Sequence, residues 1–139
     1  MGVIVEKKNL NKTNHNNLLI YCCQLRDLAS VELVSVNKSI ADELLKLPSN
    51  EQRSLNMREI VSNILKNLPE NVTIKNFDVM FNPEYNIDVL NLFTNIRKYR
   101  KFCIFWSGEI VDNKLVYSQN NYDDYKVFDI NKYDVTCVI

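Results

Sequence analysis

Two glycines in 139 residues, Gly2 and Gly108, set the tightest limit on what this chain can build. Glycine takes positive φ cheaply and lets backbone approach a ligand with no Cβ in the way. A loop that cradles phosphates with successive backbone N–H groups depends on both properties. No segment of this chain brings glycines together, so such a loop is excluded.

The length suits a single domain with a sizeable core. At 46% hydrophobic and 24% charged, the composition is that of an ordinary globular protein. Lys+Arg and Asp+Glu are 17 each. A neutral total points to neither a nucleic-acid binder nor a membrane-surface protein, and favours association with other proteins. The opening MGVIVEKKNLNKTNHNN has too short an apolar run for a signal peptide, and no stretch approaches the ~20 residues of a membrane span. The expected location is the cytoplasm. Cys22, Cys23, Cys103 and Cys137 lie in apolar runs and read as small buried hydrophobes in a reducing compartment. No CxxC is present, and the one histidine, His15, sits in an Asn-rich stretch, so neither a metal site nor a Cys–His pair is expected.

Residues 1–17 form a polar lead-in, either loose or a short edge element. Leu18–Cys23 and Val31–Val36 read as buried strands. Only seven residues, Gln24–Ser30, separate them, where a parallel crossover needs roughly 10–12 or more. Either that crossover is stunted or the two strands are not neighbours. Asn37 and Ser39 are N-cap candidates for a short helix ended by Pro48-Ser49-Asn50. Asn56 and Glu59 fit a capping box for a second helix, whose stripe is Met57, Ile60, Val61, Ile64, Leu65 and Leu68. Val72–Ile74 reads as a strand, followed by the apolar piece Phe77–Phe81. Asp88 can cap a third helix that ends in Arg97 and Lys98, and Phe102–Trp106 reads as a buried strand. Asp112-Asn113-Lys114 can turn a hairpin, and Val135–Ile139 is a last strand. Strands alternating with helices predict a single three-layer α/β domain over 18–139, with a mainly parallel sheet and a C-terminal β-hairpin.

From about Leu44 onward the chain resembles the small P-loop-type accessory protein of type 3 BREX phage-defence systems, the BrxF-like group. The resemblance rests on ELLKLPSNEQRSLNMREIVSNIL, FDVMFNPEYNIDVLNLF and RKYRKFCIFWSGEIVDNKLVYSQNNYDDYKVF, in that order and spacing. It implies an ASCE-type P-loop NTPase-like fold and an accessory role in a multi-protein defence complex. Two departures make that P-loop degenerate. Cys22, Cys23, Gln24, Leu25, Arg26 and Asp27 stand where the family has its Gly-rich Lys-Ser/Thr loop. Lys75 stands where the Walker B strand carries its metal-linked Asp, beside Asp78. No catalytic, cofactor-binding or metal-binding residue is therefore expected, and the chain is not expected to be an enzyme.

Two candidate surfaces follow from residue type. Tyr117, Tyr122, Tyr125, Phe128 and Tyr133 form an aromatic-rich partner surface, with a packed sheet edge as the alternative. Arg97, Lys98, Arg100 and Lys101 form a candidate phosphate or nucleic-acid contact, with a solvated helix C-terminus as the alternative. Asp78, Glu84 and Asp88 read as surface acids and an N-cap, and Gly108 reads as a turn that ends the Trp106 strand. The expected function is a non-catalytic adaptor bound to other proteins, with a homo-oligomer compatible. The alternatives are a weak nucleotide- or nucleic-acid-binding module using the basic cluster, or a small inhibitor or immunity-type protein.

Overall fold

Continuous apolar runs become the strands of a parallel sheet, because strands covered on both faces have no polar side to show. The computed structural model describes residues 1–12, 17–28, 31–118 and 122–139. Its elements are β1 (Val3–Val5), β2 (Leu18–Tyr21), β3 (Leu33–Ser35), α1 (Asn37–Leu44), α2 (Asn50–Lys66), β4 (Thr73–Lys75), α3 (Val89–Arg97), β5 (Cys103–Phe105), β6 (Glu109–Val111), β7 (Lys114–Tyr117), β8 (Lys126–Asp129) and β9 (Val135–Val138). Short 3-10 segments include Lys7–Lys12, Leu25–Leu28, Asp78–Phe81 and Ile130–Lys132.

Six strands form one all-parallel sheet in the order β1-β9-β2-β5-β4-β3. The domain is thus α/β with a mainly parallel sheet, as the alternation of elements predicts. The lead-in contributes β1, the edge-element form of the two that were open, paired with β9. β2 and β3 are not neighbours: β5 and β4 lie between them.

The covering layers are unequal. α1, α2 and α3 share the main core with Leu18, Ile20, Ile74, Ile104, Val135 and Cys137 from one face of the sheet. The opposite face is covered by turns. Leu28 is buried there against Tyr21 and Val138, with Leu10, Cys103 and Phe105 packed around them. In the described part of the β2–β3 connection, the Leu25–Leu28 3-10 turn supplies that buried leucine.

Helix boundaries follow capping chemistry where the apolar stripe does not reach. α2 starts at Ser49, whose hydroxyl accepts the Gln52 N–H at 3.2 Å. The capping box expected at Asn56 does not form; that amide donates to the Gln52 carbonyl inside the helix. The first turn carries no apolar stripe to announce it. Instead Arg53 donates to the Leu44 and Leu47 carbonyls at 3.0 to 3.2 Å and closes the end of α1. α1 itself has no side-chain cap. Asn37, expected to cap it, accepts the Val79 N–H at 2.9 Å and ties the helix to the Asp78–Phe81 turn. Asp88 does cap α3, accepting the Asn91 N–H at 3.0 Å.

The hairpin forms as predicted. Asp112 and Asn113 both have positive φ, 51° and 62°, the turn that matches strand twist. β8 adds a third antiparallel strand. Among the described residues, six non-glycine residues have positive φ and five of them are Asn or Asp. Asparagine thus takes the left-handed positions that glycine usually fills. Neither glycine has positive φ. Both are needed for close approach: a Cβ at Gly2 would overlap the Ile130 carbonyl, and one at Gly108 would overlap the Val116 carbonyl.

Candidate functional site

Ligands in open parallel sheets bind outside the carboxyl ends of the strands, so that edge comes first. β2 ends there at Tyr21 and runs through Cys22 and Cys23 into the Leu25–Leu28 turn. His15, Ala29 and Ser30 lie outside the described residues. The described part of this connection holds no α-helix, hence no helix N-terminus to aim N–H groups at an anion. Cys22 is a poor nucleophile: the neighbouring Cys137 thiol and burial push its thiol up, and it donates to the Ile20 carbonyl at 3.7 Å. β4 ends at Lys75, and Asn76 follows with φ 55° and donates to Ser35 Oγ at 3.1 Å.

The three acids of this region do not converge. Tyr117 Oη donates to Asp78 Oδ1 at 2.9 Å. Asn50 Nδ2 donates to Glu84 Oε2 at 2.7 Å. Asp88 accepts from the Asn91 N–H on one oxygen and from Tyr133 Oη, at 2.7 Å, on the other. Among the described residues no group of three or more His, Cys, Asp or Glu is placed to hold a metal. Among the described residues no helix is long and apolar enough to cross a membrane.

The five aromatics divide between core and surface. Phe128 is 6% exposed and lies in the main core. Tyr117 stacks on Phe81 with ring centroids 3.8 Å apart. Trp106 meets Phe81 and Phe128 edge-on, both at 5.8 Å, and Phe128 meets Tyr133 at 6.1 Å. This aromatic packing fastens the small antiparallel sheet to the rest of the fold. Tyr125 is half-buried, and Tyr122 alone of the five is exposed. The sequence holds no clear sign of this division: β8 has too few residues for alternation to mark Phe128 as inward.

Burial first, then the aspartate partner, pushes the Tyr117 and Tyr133 hydroxyls above their ordinary value of about 10. The folded state therefore keeps both protons where the unfolded chain loses them. Their contribution is complete below about pH 10, the unfolded value, and is lost progressively as pH rises from there through the higher folded-state values. Urea midpoints measured at about pH 9 and pH 11 should fall in the parent and fall less in Tyr117→Phe/Tyr133→Phe. An equal fall in both proteins would remove these two residues from the explanation. At neutral pH the double variant should lose about 1 kcal/mol per hydrogen bond.

The basic run occupies the opposite, N-terminal edge of the sheet. Its members are held differently. Arg100 donates to the Leu68 carbonyl, and Tyr99 Oη accepts from Arg58 at 2.8 and 3.2 Å. Lys98 and Lys101 are exposed. Arg97 is half-buried, and its Nε is buried with no hydrogen-bond partner. Arg97 and Lys98 line a cavity of about 250 Å³ that also takes residues from the starts of β2 and β9. Sequence reasoning missed the contribution of Lys132 to this cavity, because nothing in a lone lysine marks its distant partners.

Comparison with family models, curated proteins and solved structures finds no match to this chain.

Proposed function

We propose that this protein is a non-catalytic accessory subunit, an adaptor that works through protein contacts in a cytoplasmic phage-defence complex of the BREX kind. The observation that carries the reading is the connection after β2. At the position of a phosphate loop it has no glycine, no lysine and, in its described part, only a four-residue 3-10 turn.

The sheet order supports a degenerate ASCE-type ancestry. That arrangement is defined by an additional strand between the one leading into the phosphate loop and the Walker B strand. β5 has that position between β2 and β4. At the end of β4, Lys75 would repel Mg²⁺, and Asp78 is engaged by Tyr117. Phosphoryl transfer rests on positioned cations and backbone donors, so losing both leaves a scaffold without the reaction.

Two measurements test the proposal. Thermal unfolding with millimolar ATP should show no shift that depends on added Mg²⁺. A working site, at ligand hundreds of times above Kd, would add about 3–4 kcal/mol, so a clear Mg²⁺-dependent shift would overturn the non-catalytic reading. Co-expression with the methyltransferase and phosphatase-like subunits of such a system should give one complex in gel filtration. Separate elution of every component would remove the adaptor assignment.

A further inference from the structure

The cavity at the N-terminal edge of the sheet has the chemistry of a ligand site. One wall is α3, presenting Asn91, Asn95, Arg97 and Lys98; the other is the segment before β9, presenting Lys132 and Asp134. Three cations face one carboxylate. That carboxylate already has a partner, since Asn17 Nδ2 donates to Asp134 Oδ1 at 3.3 Å. Among the described residues none of the three cations forms an ion pair.

Arg97 is the informative group. A buried guanidinium nitrogen without an acceptor is rare in folded proteins, because the desolvated donor destabilises the fold. Capping α3 does not explain it. The Asn95 and Ile96 carbonyls at that helix end already accept backbone N–H groups from Lys98, Tyr99 and Arg100. The Nε of that guanidinium is held among protein atoms, and two lysines line the same cavity, Lys98 from the end of α3 and Lys132 from the segment before β9. A planar donor fork plus two ammonium groups matches a phosphate better than a single carboxylate, because the excess positive charge calls for a dianion. The amides of Asn91 and Asn95 can hydrogen-bond a hydroxylated body. The volume is below the ~300 Å³ at which sites for drug-sized ligands begin.

We infer that this cavity binds a small phosphate monoester, with Arg97, Lys98 and Lys132 holding the phosphate. The site is independent of the P-loop position, which lies at the other edge of the sheet, and it does not rest on the adaptor reading.

The experiment is titration calorimetry and thermal unfolding of the full chain with inorganic phosphate, ribose 5-phosphate, ribose and a single-stranded oligonucleotide. Both phosphate compounds should bind and raise the midpoint without Mg²⁺, and ribose should do neither. Lys98→Gln and Lys132→Gln, at exposed positions that cannot damage the core, should each weaken binding at least tenfold. Lys101→Gln, outside the cavity, should leave it unchanged. Arg97→Leu should abolish binding while the ligand-free midpoint stays level or rises, since an unpartnered buried donor is removed. A purely structural arginine would instead lower that midpoint. The inference is overturned if neither phosphate compound titrates, if binding survives Lys132→Gln unchanged, or if only the oligonucleotide binds. The last result would assign the basic turn to nucleic acid.

Discussion

Trp106→Ala should lower unfolding free energy by about 3–5 kcal/mol, the range for truncating a fully buried large aromatic. Trp106 is 2% exposed and sits at the centre of the aromatic packing that joins the two sheets, within 6.4 Å of the Tyr117, Phe81 and Phe128 rings. Its indole N–H also donates to the Val116 carbonyl at 3.1 Å, so truncation leaves that acceptor on β7 without this donor. Against a typical total of about 5–15 kcal/mol, this is a large fraction of the stability. Urea unfolding followed by far-ultraviolet circular dichroism measures it. Trp106→Phe keeps most ring contacts and should cost about 1–2 kcal/mol less than the alanine change. A Trp106→Ala protein destabilised by under about 1 kcal/mol would mean that the antiparallel sheet is not anchored through this residue.

Gly108→Ala should have the second largest effect, about 3 kcal/mol or more, although it adds a single methyl group. The reason is steric. The new Cβ would overlap the Val116 carbonyl and stand 2.9 Å from Trp106 Nε1. Backbone cannot rotate away as a side chain does, so β6 and β7 would have to separate or the indole bond would have to break. Positive φ has no part in this, and Gly108→Asn should therefore be at least as harmful as Gly108→Ala. At a left-handed position asparagine would be the better tolerated of the two. Because Trp106 and Gly108 share the Val116 carbonyl, the double variant should lose less than the sum of the single changes. Additive losses would show that the two residues act on separate parts of the sheet.

These two residues also show how far the fold could be read along the chain. The Trp106 strand, the Asp112-Asn113 hairpin, the Asp88 cap and the strand–helix alternation are local signals, and each has its structural counterpart. The start of α2 was not legible, because Arg53 and the polar residues around it carry no apolar stripe and act on the end of α1. The role of Asn37 was not legible either. Its carboxamide fits a cap by type, and only the approach of the Asp78–Phe81 turn turns it to the Val79 N–H. In the candidate sites, residue type found aromatics and cations. It did not separate buried Phe128 from exposed Tyr122, or the engaged Arg100 from the unpartnered Arg97.

By itself the sequence determined the α/β class with a mainly parallel sheet and the scarcity of glycine from which any phosphate-cradling loop would be built, since apolar runs and glycine count are properties of the linear chain. Only the tertiary structure decided where β2 and β3 lie, why each glycine is required, and that Lys132 meets Arg97 and Lys98 across one cavity. The physical reason is the same in all three cases. Each depends on contact between segments far apart in the chain, and no local periodicity or composition encodes which distant atoms will meet.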